Sequence, residues 1–376
     1  MRIVHTESSC GWGGQEIRVL SEARGMRSRG HDVLLLCPEE ARIHGEAGRF
    51  EVPVQALPIK NKGLSGVLAL RSFFLRESAR PIDVVNCHSS TDTWLTALAL
   101  ASLSLRPALV RTRHVSAPVP NNPTSRWLYR RASDRVVTTG ESLRQQLISV
   151  NGLDPKRVVS VPTGIDLAQF PRVDAGKRSA ARAALQIDAD SFVVGIVATL
   201  RSWKGHRYLI EAIAELKLTR PHQPLQLMIV GDGPQRAALE RLSAELALGS
   251  QVSMCGNQND VTTYLHAFDA FALPSYANEG VPQALLQAMA CGVPVVTTDA
   301  GAIGEIARAG ETALVVPKQN ASALAAALAD LIADPRSADA RADCAAQLVS
   351  ARHSLGAMLD QMEAIFLDAR SARTRV

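Results

Sequence analysis

The sequence predicts an α/β protein made of two doubly wound, parallel-sheet units, and three observations carry that prediction. Short β-branched and apolar runs alternate with helical stretches, the signature of a parallel sheet covered by helices on both faces. The alternation stops at a segment bearing Pro171, Asp174 and Gly176 and then starts again. Finally, 376 residues exceed what one ordinary hydrophobic core organises, so two lobes with a cleft between them are expected.

In the first series the strand-like runs fall at 2–6, 33–37, 84–88, 109–114, 135–139 and 158–162, and in the second at 193–200, 225–230, 251–256, 270–274, 294–298 and 313–317. The Ala-rich stretch 321–331 is a strong helix former, and a helical pattern covers 355–373. These boundaries predict a first domain over 1–171, a second over 172–354, and a closing helix over 355–376 that crosses back to the first.

Composition narrows the class further. A hydrophobic content of 47% with 20% charged residues fits a soluble globular chain, and 4% aromatics points to helices rather than a β-sandwich. The longest apolar run, 95–105, is far short of the roughly 20 residues of a membrane-spanning helix. A strand-like pattern begins at Arg2, so no signal peptide is read. Six scattered cysteines form no C-x-x-C pair, which argues against a zinc site or a disulfide framework and for a reducing, cytoplasmic setting. Charge is uneven: residues 1–172 hold 23 Lys and Arg against 15 Asp and Glu, and the remainder hold 18 against 21. Arg111, Arg113, Arg126, Arg130, Arg131 and Arg135 make the densest basic group, suited to an anionic acceptor or to peripheral contact with an anionic membrane. A solvated Arg-rich face accounts for that group equally well.

In open α/β sheets ligands sit beyond the carboxyl ends of strands, so functional side chains are expected at the strand ends. The first run leads into Cys10-Gly11-Trp12-Gly13-Gly14-Gln15-Glu16, where Gly13 and Gly14 open a helix that could receive an anion, or simply make a tight turn. The spacing is not that of a dinucleotide fingerprint. In Ala198-Thr199-Leu200-Arg201-Ser202-Trp203-Lys204-Gly205-His206, Arg201 and Lys204 leave a strand end together and are placed to meet a diphosphate whose charge grows as it departs. Gly231-Asp232-Gly233 is a Gly-rich turn suited to close approach of a nucleotide, and also a common structural turn. The longest signal is the run from Ser275 to Pro294. There Glu279 precedes a helix whose first residues, Gly280, Val281, Pro282 and Gln283, are expected to offer free N–H groups to phosphate or sugar. Gln287 follows eight residues on, about two turns later, on the same face. Asp188-Ala189-Asp190 matches a metal-binding pattern literally but precedes its strand, at the wrong end of the sheet, and reads as a polar turn.

Taken together these motifs resemble the GT-B glycosyltransferases of glycosyltransferase family 4, over nearly the whole chain: Gly13-Gly14, Val161-Pro162-Thr163-Gly164-Ile165-Asp166, the basic loop, the Gly231-Asp232-Gly233 turn, and Glu279 through Gly292. The resemblance implies a GT-B fold, two Rossmann-like domains facing a central cleft. It also implies a retaining, metal-independent transfer of sugar from a nucleotide-sugar donor, without a cofactor and without nucleic acid. By position, Arg201 and Lys204 would bind the donor diphosphate, Glu279 the sugar hydroxyls, and residue 287 the ribose. His114 matches the family histidine near the reacting carbon, and His88 and Arg113 are candidate acceptor contacts. The chain departs from the family in having Gln287 where Glu is usual, and Ala198 or Thr199 where the phosphate-binding Arg is usual, with Arg201 in a shifted position.

The resemblance favours UDP-sugar over GDP-sugar and a glycan or lipid-linked acceptor in cell-envelope or lipopolysaccharide synthesis. Two other readings fit the same residues. A nucleotide-sugar epimerase would need no acceptor, and a catalytically degenerate nucleotide-sugar-binding protein would account for Gln287.

Overall fold

The computed structural model describes residues 1–115, 117–277 and 279–374; Asn278, inside the 275–294 motif, lies outside them. The chain forms two compact units, one of Met1–Gly164 with Leu355–Val376 and one of Ile165–Ser354.

The first unit holds seven strands: β1 (Arg2–Thr6), β2 (Asp32–Cys37), β3 (Val54–Ala56), β4 (Val84–Cys87), β5 (Ala108–Arg113), β6 (Arg135–Thr138) and β7 (Val158–Ser160). They pair in the order β3-β2-β1-β4-β5-β6-β7, all parallel. Successive residues of the central strands face opposite sides of the sheet, and both sides are apolar. Ile3, Leu35, Val84 and Val110 join one core layer, and Val4, Leu36, Val85 and Leu109 join the other. The first layer is closed by the helices Gly14–Ser28 and Leu355–Thr374, the second by Leu64–Arg76 and Ser90–Ala101. The last helix contributes Met358, Leu359, Met362, Ile365, Phe366 and Ala369, a stripe at helical spacing. It lies so close to the first helix that a Cβ on Gly25 would fall 2.4 Å from Leu359 Cδ1.

The second unit holds β8 (Phe192–Val197), β9 (Leu225–Val230), β10 (Val252–Gly256), β11 (Ala270–Leu273), β12 (Val295–Thr297) and β13 (Leu314–Val315), in the parallel order β10-β9-β8-β11-β12-β13. Asp188 and Asp190 lie before β8 in a turn closed by the Asp190 N–H on Asp188 Oδ1.

Three sequence expectations shift. The edge strand β3 is added. The first boundary falls between residues 164 and 165 rather than 171 and 172, because Ile165 and Phe170 pack in the second core and the Ile165 N–H donates to His353 O at 2.9 Å. Third, the helix after Glu279 starts at Gln283, with Pro282 extended at its N-cap. Gly280 and Val281 are therefore loop, and Pro282 has no N–H to offer. In both sheets the strand order reverses next to the first strand, between β1 and β4 and between β8 and β11, and such switch points are where doubly wound sheets open for ligands.

Candidate active site

At the switch point of the second unit, β8 and β11 each end in a short loop that delivers one charged side chain. After β8 the chain makes a single 3-10 turn, Ser202–Lys204, and enters the helix His206–Thr219 through Gly205. Gly205 is left-handed (φ +78°), and a Cβ there would lie 2.1 Å from Pro274 O at the end of β11. Only glycine lets these two strand ends come so close. After β11, Glu279 is held by three contacts: the Ser275 hydroxyl donates to Oε1 at 2.7 Å, and Lys204 Nζ lies 2.7 Å from Oε1 and 2.9 Å from Oε2. Its own carbonyl accepts from the Ala302 N–H. The carboxylate is nearly buried and the ammonium is partly exposed, 6% against 19%.

Gln287 is also nearly buried, in the second turn of the helix Gln283–Ala290. Glu279 precedes that helix, so helical spacing does not set its position relative to Gln287. Arg201 is exposed, with its guanidinium 5.7 Å from the Trp203 ring centre. The glycines of the 231–233 turn serve the backbone directly. Cβ atoms on Gly231 (φ +139°) and Gly233 would fall 2.1 Å from Ala198 O and 2.8 Å from Leu200 O, so this turn fits against the loop after β8.

In the first unit Gly13 is the extended N-cap (φ −179°) of the helix that Gly14 begins, a conformation open to any residue. The loop ahead of it starts at the fully buried Glu7, which accepts from Gln15 Nε2 and the Ser9 N–H. Burial raises the Glu7 carboxyl, and burial with the charge of Glu7 raises Glu16 and Asp92, each to about 7. His114, half-buried at the end of β5, is hydrogen-bonded through Nε2 to His88 Nδ1 at 2.9 Å, and His88 Nε2 meets His5 Nδ1 at 2.9 Å. All three imidazoles are held well towards the neutral form by burial, His5 with its pKa down to about 3. Both nitrogens of the buried His88 are thus engaged inside the fold. Arg113 is engaged likewise, donating to the Tyr129 hydroxyl at 2.8 Å and to Ala117 O at 2.6 Å. Both candidate acceptor residues are thus buried with partners inside the fold, and Arg113 Nε has none. The basic group is divided for the same reason: Arg111 and Arg113 are buried, and Arg135 pairs with Asp368.

His5, Glu22 and His88 each present a possible metal-ligating atom within 4.8 Å of the others, the one such cluster among the described residues. The facing nitrogens of its two histidines are already hydrogen-bonded to one another.

Two family descriptions divide the chain as the fold does: glycosyltransferase family 4 matches residues 12–169, and glycosyl transferases group 1 matches 177–347. The D-inositol 3-phosphate glycosyltransferase of Rhodococcus opacus is 30% identical over 365 residues, covering 86% of this chain and 78% of that protein. The chain belongs to glycosyltransferase family 4. Solved structures agree on the GT-B fold of this enzyme. The Anabaena protein HepE in complex with UDP-glucose superposes with a TM-score of 0.85 at 22% identity, covering 98% of this chain and 100% of that one. The lipopolysaccharide outer core galactosyltransferase WaaB gives 0.71 at 16% identity, covering 98% and 99%.

The glycosyltransferase thus carries Lys204 and Glu279 paired at the switch point of its second unit. Sequence reasoning missed Ser275, which orients Glu279, and His5, the inner end of the histidine row. A hydroxyl four residues before a carboxylate at a strand end was the available signal for the first. Three histidines near the ends of three strand-like runs were the signal for the second.

Proposed function

We propose that this glycosyltransferase moves a sugar, with retention and without a metal, from a nucleoside-diphosphate sugar to a hydroxyl of a glycan or lipid-linked acceptor, with UDP-sugar preferred. The observation that carries the reading is the Lys204–Glu279 pair at the β8/β11 switch point. An ammonium has three N–H donors, and two directed at Glu279 leave one for a phosphate oxygen. Glu279 thereby aims the cation and keeps acceptor capacity for a sugar hydroxyl. In this reading Lys204 and Arg201 stabilise the departing diphosphate as the anomeric carbon–oxygen bond breaks, Gln287 holds the ribose, and His114 serves the donor sugar. The acceptor oxygen bonds to the anomeric carbon on the face the diphosphate leaves, and its proton passes to that phosphate. The HepE complex with UDP-glucose and the relatives named D-inositol 3-phosphate glycosyltransferase support the donor class and a hydroxyl acceptor.

A panel of UDP-, GDP-, ADP- and CMP-sugars in a thermal melt tests this directly, since a ligand of the folded state raises its melting temperature. A rise with UDP-glucose and none with the other nucleotides is expected; a flat response to all four overturns the reading. NMR of the product anomeric proton tests retention, and isomerisation of the donor alone would establish the epimerase instead.

A peripheral role at an anionic membrane rests on a different observation. Leu64, Leu68 and Leu75 are 73%, 54% and 46% exposed, and with Arg71 they share one face of the helix Leu64–Arg76, beside the exposed Lys60 and Lys62. Apolar side chains beside Lys62, Arg71 and the Lys60–Glu40 pair suit an anionic bilayer surface, which fits envelope-glycan synthesis. Co-sedimentation with phosphatidylglycerol vesicles, lost in Leu64→Asp/Leu68→Asp, is the expected result; equal sedimentation of both proteins would exclude this face.

A further inference from the structure

Three imidazoles form an unbroken row beneath the carboxyl ends of three adjacent strands. His5 lies in β1, His88 follows β4 and His114 follows β5, and these strands are neighbours in the sheet. Both links measure 2.9 Å, and the rings of His5 and His88 stack with centres 5.2 Å apart. The His88 backbone N–H donates to Thr6 O, which anchors the middle residue to β1. The inner end is polar and closed off. Glu22 accepts from Asn86 Nδ2 at 3.0 Å through Oε1, Asn86 Oδ1 accepts from Thr112, and Arg18 Nε stands 3.9 Å from Glu22 Oε2. Within this fully buried group His5 Nε2 and Glu22 Oε2 have no hydrogen-bond partner. His5, Glu22 and His88 each bring a ligating atom within 4.8 Å of the others, so the Glu22 carboxyl adjoins the inner end of the row.

A neutral imidazole has one donor nitrogen and one acceptor nitrogen, and a bond at one sets the role of the other. In a row of three, the choice at one end therefore passes to the far end. The unpartnered His5 Nε2 and the unpartnered Glu22 Oε2 suit one another as donor and acceptor, and a proton on His5 Nε2 puts that of His88 on Nε2 and that of His114 on Nε2. Arg18 beside Glu22 favours the carboxylate form, while burial raises its pKa to about 7. We propose that His88 and His5 are positioning residues that hold His114 in the Nε2–H tautomer, so that its Nδ1 lone pair accepts a hydrogen bond from a substrate hydroxyl. This rests on the reading that His114 serves the donor sugar. The opposite sense of the row would present a donor there and lose that contact.

The test is long-range 1H–15N correlation on the full chain labelled with 15N-histidine, at pH 8, with His114 assigned through His114→Gln. The wild type should show His114 as Nε2–H alone. His88→Leu and His5→Leu should give a mixture of tautomers. His5→Asn, which keeps an acceptor in the place of Nδ1, should restore the single form. UDP release from UDP-glucose without acceptor should fall about tenfold in kcat for His5→Leu, with little change in KM, and recover in His5→Asn. A single Nε2–H signal in a folded His5→Leu, Nδ1–H in the wild type, or a stoichiometric divalent metal in the purified protein would each overturn the proposal. If His88→Leu does not fold, the His5 pair decides. Unchanged UDP release in His114→Gln would sink the donor-sugar assignment instead, with the tautomer measurement still judging the row.

Discussion

Glu279 accepts from Lys204 through both of its oxygens, at 2.7 and 2.9 Å, while the Ser275 hydroxyl shares Oε1. The ammonium is thus aimed before any ligand arrives, and an aimed cation needs no reorganisation when charge develops beside it. Lys204→Ala should lower turnover by about 10²–10³-fold. It also leaves a nearly buried carboxylate with a hydroxyl alone, at a cost of about 1–3 kcal/mol. Steady-state kinetics alongside a urea melt checks both, and near-normal turnover in a folded variant would remove Lys204 from the chemistry.

In the proposed donor site Gln287 offers ribose a neutral partner where the resemblance leads one to expect a charged one. Gln287→Glu should tighten UDP binding, measured by calorimetry, by about tenfold, the difference between a neutral and a charge-assisted hydrogen bond to ribose. If the wild type is inert and the variant active, the protein is a degenerate binder and not a transferase in its present form.

Gly205 is where substitution should be least tolerated. Alanine would have to adopt φ +78° and place its Cβ 2.1 Å from a backbone carbonyl that has no freedom to rotate away. Gly205→Ala should lose about 3 kcal/mol or more in denaturant unfolding, together with activity, because Lys204 adjoins the displaced turn. A stable, active variant would mean that β8 and β11 do not meet as described.

His206 provides a pH signature. It is buried with neither ring nitrogen hydrogen-bonded, and burial, aided by the charge of Lys204, lowers its pKa from 6.5 to about 3. The unfolded chain then binds the proton that the folded chain refuses, so this site's stability is intact above 6.5 and is lost as pH falls towards 3. Between pH 6.5 and 5 the loss is about 2 kcal/mol. His206→Leu should lower the slope of that part of the stability profile by this one site's share, with His5, His88 and His114 still contributing theirs, and an equal slope in both proteins would contradict it.

On the proposed mechanism Arg201 and Lys204 supply the charge that a metal would otherwise bring, so turnover is expected to be the same before and after EDTA treatment. Activity abolished by EDTA and restored by magnesium would refute this.

Most of the architecture could be read from the chain because buried parallel strands are apolar on both faces, as Ile3 with Val4 and Val84 with Val85 illustrate. The edge strand Val54–Ala56 escaped, being three residues long and flanked by Pro53 and Pro58. Lys204 and Glu279 were visible as charges placed just past apolar runs. Their pairing was not, because it depends on β8 lying beside β11, some 70 residues later in sequence. His5 was hidden for a similar reason: alone it is a polar residue inside a strand, and its meaning comes from a ring 83 residues away. Arg113 shows the converse, a cation that looked free in sequence and is buried against Tyr129 and Ala117.

The seat of Leu359 on Gly25 sets an order of events during synthesis. Residues 1–164 leave the ribosome long before the helix that seals one side of their sheet, and the whole second unit is made in between. At about 5–20 residues per second, that interval lasts on the order of 10–40 s. During it the part of the first core layer that this helix covers, on the first helix, β4 and β5, stays open until Leu359 and Phe366 arrive.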